Sequence, residues 1–269
     1  MTCAVSGGAD SLALLVLACA ARCEVTAVHV DHGLRRGSAA EVRIVSSAAW
    51  RFGAAFRSET VVIPPGPNLE ARARLARFSV LPADVLTGHT ADDQAETVVI
   101  NLLRGAGVDG LAGMALEGHP ILALRRSETV ALCAAYDLEV VHDPSNDDPR
   151  FLRNRIRHEV LPLLADISQR DVAAVVARQA SLLRDEAELL DALASDIDPT
   201  NAHALTTAPV ALARRAVRRW LANPMPLSAD EVDRVLAVAR GDAIACEVEG
   251  GRRIARTAWV LRVESRPRS

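Results

Sequence analysis

The sequence predicts an α/β fold, a parallel five-stranded doubly wound sheet followed by a smaller, mainly helical domain with a short β-meander. Three observations carry that prediction. Short β-rich runs alternate strictly with helical stretches up to about residue 150; helical periodicity then takes over; and the tail alternates around a Gly250–Gly251 pair. Strict alternation of strand and helix calls for a parallel sheet covered on both faces. At 269 residues the chain suffices for one large domain or two modest ones, and the change of rhythm divides it into 1–150 and 151–269.

In chain order, the candidate strands are residues 3–5, 25–30, 56–63, 85–87 and 121–124. Between them lie candidate helices at 11–22, 38–52, 69–81, 92–104 and 127–136. The polar stretch "HDPSNDDPR" then interrupts the pattern. Beyond it helix is expected from 154 to about 193 and from 210 to about 240, before a small β-meander turning at Gly250–Gly251. No internal repeat or low-complexity tract is present.

Composition excludes several classes. Half of the residues are hydrophobic and 24% are charged, the profile of a globular protein. The longest apolar run near the start, residues 12–21, is too short to span a bilayer and has no basic segment ahead of it, so neither a membrane anchor nor a signal peptide is expected. The five cysteines are scattered and form no CxxC pair, which points to a reduced, cytoplasmic protein without a zinc ribbon or disulfide framework. A net charge of −3 argues against a uniformly basic nucleic-acid binder, although local patches remain open. All 31 basic residues are arginine. A lysine nucleophile, a Schiff-base lysine and a P-loop lysine are thereby excluded.

The most informative stretch is "SGGADS", residues 6–11, which joins the first strand to the first helix. In an open α/β sheet this is the carboxyl edge, where ligands bind. Gly7 and Gly8 let the backbone approach an anion, and the helix that begins near Ser11 adds its partial positive charge. Ser6 and Ser11 supply hydroxyls. Asp10 has the wrong charge to hold a phosphate, but it suits Mg²⁺ bridging phosphate oxygens. Without lysine the loop is not a Walker A motif. A plain glycine turn with a helix cap would use the same residue types.

Further along, "GHTADDQAET" places Thr90 and Asp93 at capping-box spacing. Such a cap accounts for Asp92 or Asp93 but not for Glu96, one turn on and on the same face. With His89 just ahead, the three carboxylates would make a negative pocket suited to ammonium groups or to a second Mg²⁺. In "RNRIRHE", Arg153 and Arg157 recur with Arg150 at helical spacing while Arg155 falls on another face, as either a phosphate-binding row or a solvated one. "ARRAVRRW" pairs Arg214 with Arg218 and Arg215 with Arg219, as an RNA-backbone patch or as stems packed on a helix.

Residues 6–11 resemble the PP-loop of the ATP pyrophosphatases. Together with "VHVDHGLRRGSAAE" (28–41), "GHTADDQAETVVINLLRGAGVDGLAGM" (88–114) and "DPSNDDPRFLRNRIRHEVLPLL" (143–164), they resemble the tRNA(Ile)-lysidine synthetase family. The resemblance covers the whole first domain and the start of the second. It implies an enzyme that cleaves ATP between its α- and β-phosphates, adenylates the wobble cytidine of tRNA(Ile), and attaches free L-lysine to it. ATP and Mg²⁺ are the implied cofactors, and the 151–269 domain would contribute to tRNA binding; the resemblance leaves room for a homodimer. It assigns nucleotide binding to Ser6, Gly7, Gly8, Ala9, Asp10, Ser11, Arg153 and Arg157, with the metal at Asp10. Catalysis and lysine recognition fall to Asp31, His89, Asp93 and Glu96, with His32 and Arg35 as nearby polar contacts. The chain departs from the family in starting its first strand almost at Met1 and in its short C-terminal half. Two rivals stand beside this reading. A tRNA thiolase of the same superfamily would need well-placed cysteines, whereas Cys19 and Cys23 fall within the first helical pattern. A non-catalytic nucleotide sensor would have little need of the carboxylate trio.

Overall fold

A computed structural model of the chain describes residues 1–31, 38–63, 66, 69–222 and 227–265. These form two compact units, Met1–Arg184 and Asp185–Ser269. In chain order the elements are β1 (Thr2–Ala4), α1 (Ala9–Ala20), β2 (Thr26–Asp31), α2 (Ser38–Arg51), β3 (Ala55–Thr60), α3 (Leu69–Ser79), β4 (Leu86–Thr87), α4 (Ala91–Leu103), α5 (Val108–Leu111) and α6 (Arg126–Ala135). There follow α7 (Leu152–Arg155), a π-helical turn (Ile156–Val160), α8 (Leu161–Ser168), α9 (Val172–Ser195), α10 (Ala202–Thr207), α11 (Val210–Leu221), α12 (Ala229–Arg240), β5 (Ala245–Val248), β6 (Arg252–Thr257) and β7 (Val260–Ser265).

The first unit is built on a parallel sheet in the order β3-β2-β1-β4. The nearly all-apolar α1 buries Leu12, Leu14 and Leu15 among Cys3, Val5, Ala27, Val45 and Cys133. Four strands are described where five were expected. The run at 121–124 forms turns instead, with Leu122 donating to the His119 carbonyl (3.1 Å) and Leu124 to that of Ile121 (2.9 Å). Ile121 and Leu122 are buried all the same. Their hydrophobicity reports a place in the core, and Pro120 leaves no amide ahead of them to begin a ladder.

The change in rhythm at residue 150 does not coincide with the division between units, which falls within α9. Side chains explain the difference. Arg153 and Arg157 bind carboxylates of α4. Arg184 donates to the carbonyl of Ala112 (2.7 Å) and to that of Met114. Residues 152–184 therefore belong with the sheet.

The helices expected at 154–193 and 210–240 are each interrupted. Gln169 ends α8 in the left-handed conformation (φ 52°), and Ala222 turns extended after α11. In the second unit, Val217, Leu221, Val235, Leu236, Ile254 and Leu261 share a core beneath the antiparallel sheet β5-β6-β7, whose first turn falls at residues 249–251. Among the described residues no helix is long and apolar enough to cross a membrane.

Candidate functional site

The sheet order fixes where a ligand can sit. The chain runs β1, β2, β3 to one side and then returns to place β4 on the other, so the strand order reverses between β1 and β4. Crevices at such reversals, beyond the carboxyl ends of the strands, are where open α/β sheets bind ligands. The two loops leaving these strands are the glycine loop and "GHT", and they touch. A Cβ built on Gly88 would lie 2.6 Å from the Asp10 carbonyl oxygen, and one on Gly7, whose φ is +87°, would lie 2.7 Å from Val141 Cγ2. Glycine is required at both positions, for close approach at the first and for conformation as well at the second.

Within the loop the serines order the backbone. Ser11 Oγ donates to the Gly8 carbonyl (2.9 Å) and accepts from the Ser6 amide (3.1 Å), while the two hydroxyls lie 3.2 Å apart. Asp10 accepts hydrogen bonds from the Thr129 hydroxyl and from Arg126 Nε (3.3 Å). Burial pushes its carboxyl above the usual range, against the opposing pull of Thr129 and Arg126. Beneath the loop, His29 Nδ1 donates to the Val5 carbonyl (3.0 Å).

Helix α4 carries the carboxylates. The capping box expected at its start is present: the Thr90 amide and hydroxyl both donate to Asp93 Oδ2 at 2.9 Å. Asp92 accepts two hydrogen bonds from Arg125 (3.0 and 2.8 Å) and a third from the Arg126 amide (2.7 Å), which ties α4 to the start of α6. Asp93 Oδ1 takes Arg126 (2.8 Å) and Arg153 (3.2 Å). Glu96 has no exposed surface. Its oxygens receive Arg153 Nε (2.6 Å), Arg157 Nε and Nη2 (2.6 and 3.0 Å) and Arg126 Nη1 (3.3 Å). The negative pocket expected from the sequence is thus a cage in which Asp10, Asp92, Asp93 and Glu96 meet Arg125, Arg126, Arg153 and Arg157. Burial raises the Asp93 pKa, but Arg126, Arg153 and the Thr90 amide outweigh it and hold the carboxyl below its usual range.

On the other side of α4's first turn, the Thr87 hydroxyl lies 2.7 Å from His89 Nδ1 and 2.6 Å from His119 Nδ1. Burial, only partly offset by Asp93, pushes His89 down to about 4, so its ring is neutral at pH 7.

The structure therefore brings Asp10, Asp93, Glu96, Arg153 and Arg157 into one network through Arg126, with His89 just ahead of the same helix. Asp31 closes β2 at the same sheet edge, where its carbonyl accepts from Val61 (2.9 Å). His32 and Arg35 lie outside the described residues. Arg150 pairs with Asp148 at the surface and Arg155 with Glu159, so neither joins the cage. Sequence reasoning missed Arg125, Arg126, Thr129, Thr87 and His119. One signal was available for the first two, since arginines opening a helix oppose its dipole and need a compensating carboxylate.

Residues 1–164 match the family model described as a PP-loop domain. Over 235 residues the chain is 44% identical to tRNA(Ile)-lysidine synthase from Nocardia farcinica, covering 81% of this chain and 74% of that one. The corresponding protein of Rhodococcus erythropolis is 43% identical (81% and 72% covered), and that of Mycobacterium leprae 42% over 240 residues (82% and 74%). The chain belongs to the tRNA(Ile)-lysidine synthase family. A solved structure of the U34-tRNA thiolase NcsA from Methanococcus maripaludis with its 4Fe-4S cluster shares the fold, at a TM-score of 0.52 and 17% identity over 68% of this chain and 72% of that one.

As a member of the tRNA(Ile)-lysidine synthase family the chain carries an ATP-binding PP-loop domain, and its cysteines do not resemble a thiolase's nucleophiles. Burial pushes Cys3 up to about 11 and raises Cys19, Cys133 and Cys246, the opposite of an activated thiolate. Cys23 lies beyond the end of α1 and packs on the same core as Cys19. In the second unit, Arg214 pairs with Asp233 (2.8 Å) and Arg215 with Asp191 (2.7 Å), while Arg218 and Arg219 donate to backbone carbonyls.

Proposed function

We propose that the chain uses ATP to adenylate the wobble cytidine of tRNA(Ile), releases pyrophosphate, and then joins free L-lysine to the activated base to form lysidine. The observation that carries this reading is the contact between the glycine loop and the α4 cage at the strand-order reversal, because the two half-reactions need a nucleotide site and an amine site side by side. In the first step the cytidine ring oxygen bonds to the α-phosphorus and the α–β bridge breaks. In the second the lysine amine bonds to the ring carbon, AMP leaves with the oxygen, and the amine loses its protons.

The loop amides of residues 7–11 and the start of α1 face the departing pyrophosphate, where charge develops. Asp10 fits a Mg²⁺ role. Among the described residues no group of three or more His, Cys, Asp and Glu gathers to hold a metal, and Mg²⁺ typically takes one or two carboxylates with phosphate oxygens and water completing its shell. When bound there, that ion would neutralise charge on the phosphates. Arg153 and Arg157, anchored on Glu96, orient guanidinium groups toward the nucleotide. Asp93 faces the lysine amine and, ionised at neutral pH, is its acceptor, His89 lies beside it toward the reacting groups, and Asp31 lies toward the adenosine or the reacting base. Glu96, wholly buried, acts through the arginines it holds. Catalysis falls to the sheet unit, and tRNA contact to surfaces beyond residue 150.

The test measures pyrophosphate release with and without tRNA(Ile) and lysine, followed by mass spectrometry of the digested tRNA. Release that needs tRNA(Ile), together with a nucleoside heavier by one lysyl group, supports the reading. Release that needs tRNA but leaves no lysine on the base would reassign the enzyme to another PP-loop chemistry, and ATP binding without turnover would make it a sensor.

A further inference from the structure

Thr87 Oγ1 has one hydrogen and two lone pairs, yet it lies 2.7 Å from His89 Nδ1 and 2.6 Å from His119 Nδ1. It can donate to only one of them. At least one Nδ1 must therefore carry its own proton and donate to the hydroxyl, so the protonation of the two rings is linked through a single oxygen. The rings also pack edge to face, with centroids 4.7 Å apart and planes at 78°. The groups facing His89 are Asp93 from α4, His119, Arg153 from α7 and Arg74 from α3; those facing His119 are Arg74, Asp93 and the Gly118 carbonyl. Burial and the arginines keep both rings neutral, so the open variable is which nitrogen bears the proton.

We infer that His119, acting through the Thr87 hydroxyl, fixes His89 as the tautomer whose Nδ1 accepts and whose Nε2 carries hydrogen, which makes His89 a neutral hydrogen-bond donor toward the reacting groups. This rests on the proposed reading only in supposing that His89 touches substrate. The direction comes from Gly118. Its carbonyl accepts the Thr87 amide (2.8 Å) and favours a proton on the His119 ring, since a carbonyl oxygen only accepts; it can also take the Thr87 hydroxyl hydrogen, but at 3.3 Å it competes poorly with His89 Nδ1 at 2.7 Å. With His119 Nδ1–H donating to Thr87 Oγ1, the hydroxyl hydrogen is left for His89 Nδ1. An outward Nε2–H suits an oxygen gaining charge, on the transferring phosphate or on the leaving adenylate, and not the proton of the attacking amine. Asp93 then remains the acceptor for the amine. His119 is a positioning residue.

The test is long-range ¹⁵N NMR of the full chain with labelled histidine, paired with single-turnover lysine transfer from a preformed adenylate. In the wild type, His89 is expected with an unprotonated Nδ1 and a protonated Nε2, and His119 with the reverse. His119→Asn sets an amide nitrogen where Nδ1 stood and should keep both the His89 tautomer and most of the rate. His119→Ala and Thr87→Val should leave His89 a tautomer mixture and slow transfer by about tenfold or more, short of the roughly 10²–10⁴-fold that a proton-transferring group itself contributes; Thr87→Ser, which retains the hydroxyl, should behave as wild type. Opposite tautomers in the wild type, or an unchanged His89 in both His119→Ala and Thr87→Val, would overturn the inference. The predicted tautomers in a protein that transfers no lysine would uphold it and sink the proposed function instead.

Discussion

Arg153 and Arg157 in the first unit, and Arg214 and Arg218 in the second, have the same residue type and the same four-residue spacing, yet the structure uses them differently. The first pair converges on Glu96, a carboxylate with no exposure, and shares it with Arg126. The second pair lies on α11. Arg214, half exposed, meets an equally exposed Asp233, and Arg218 donates to the Leu227 carbonyl. Spacing alone does not separate a working arginine from a packed one. The burial of the partner does, because a surface ion pair contributes only about 0–1 kcal/mol whereas stripping one member from a buried pair costs about 3–5 kcal/mol.

The strongest way to break this comparison is Glu96→Gln. It leaves three guanidinium groups around a neutral side chain, and chemical denaturation should show a loss of about 3 kcal/mol or more. Lysine transfer should fall far more than ATP binding. A variant as stable as wild type would place the cage on a level with the surface pairs of α11. Asp10→Asn should act on rate and not on stability. Pyrophosphate release is expected to drop by about 100-fold or more, as when one electrostatic stabiliser of a developing charge is lost. Because burial raises the Asp10 pKa, its ionised form is costly to the fold, so the variant should melt no earlier than wild type. Normal turnover would remove Asp10 from the nucleotide site.

A smaller effect is expected with pH. His89 falls from 6.5 to about 4 on folding, so between those values the unfolded chain binds the proton first and the fold loses stability as pH drops, by at most about 3 kcal/mol. Asp93, lowered from 3.8, adds to the same trend below that value, since its stabilising contribution is lost as it protonates. His89→Asn should flatten the stability curve between pH 6.5 and 4, and an unaltered curve would locate the acid sensitivity elsewhere. The smallest change is expected from replacing Arg214, Arg215, Arg218 and Arg219 together. Their intramolecular partners predict little change in the salt dependence of tRNA binding. A slope reduced by several units would instead mark α11 as a phosphate-binding face.

Much of this was legible in the sequence, and what was not has a common cause. Strands β1 to β4, helices α1 to α4 and α6, and the glycine loop announce themselves through alternation and through residues whose neighbours in sequence are their neighbours in space. Thr90 and Asp93 are three residues apart, and their capping box was readable. Arg126 meets Asp10 across 116 residues, and His119 meets Thr87 across 32. Nothing local marks such pairs. The run at 121–124 misled for a related reason, since hydrophobicity reports burial and not the ladder that makes a strand. The acidic pocket was read from one helix, whereas its neutralisation comes from the start of α6, from α7 and from the π-helical turn after it.

The π-helical turn at Ile156–Val160 follows directly on α7, which carries Arg153, and itself contains Arg157. A helix advances by about 100° per residue, so one residue gained or lost there would swing everything after it through more than a quarter of a circle. Arg157 would then point away from Glu96. Relatives of this chain should therefore tolerate almost any exchange of side chain on the outer surface of that turn, yet share its length, and a gap aligned there signals a rebuilt active site where the same gap in a surface loop would signal nothing.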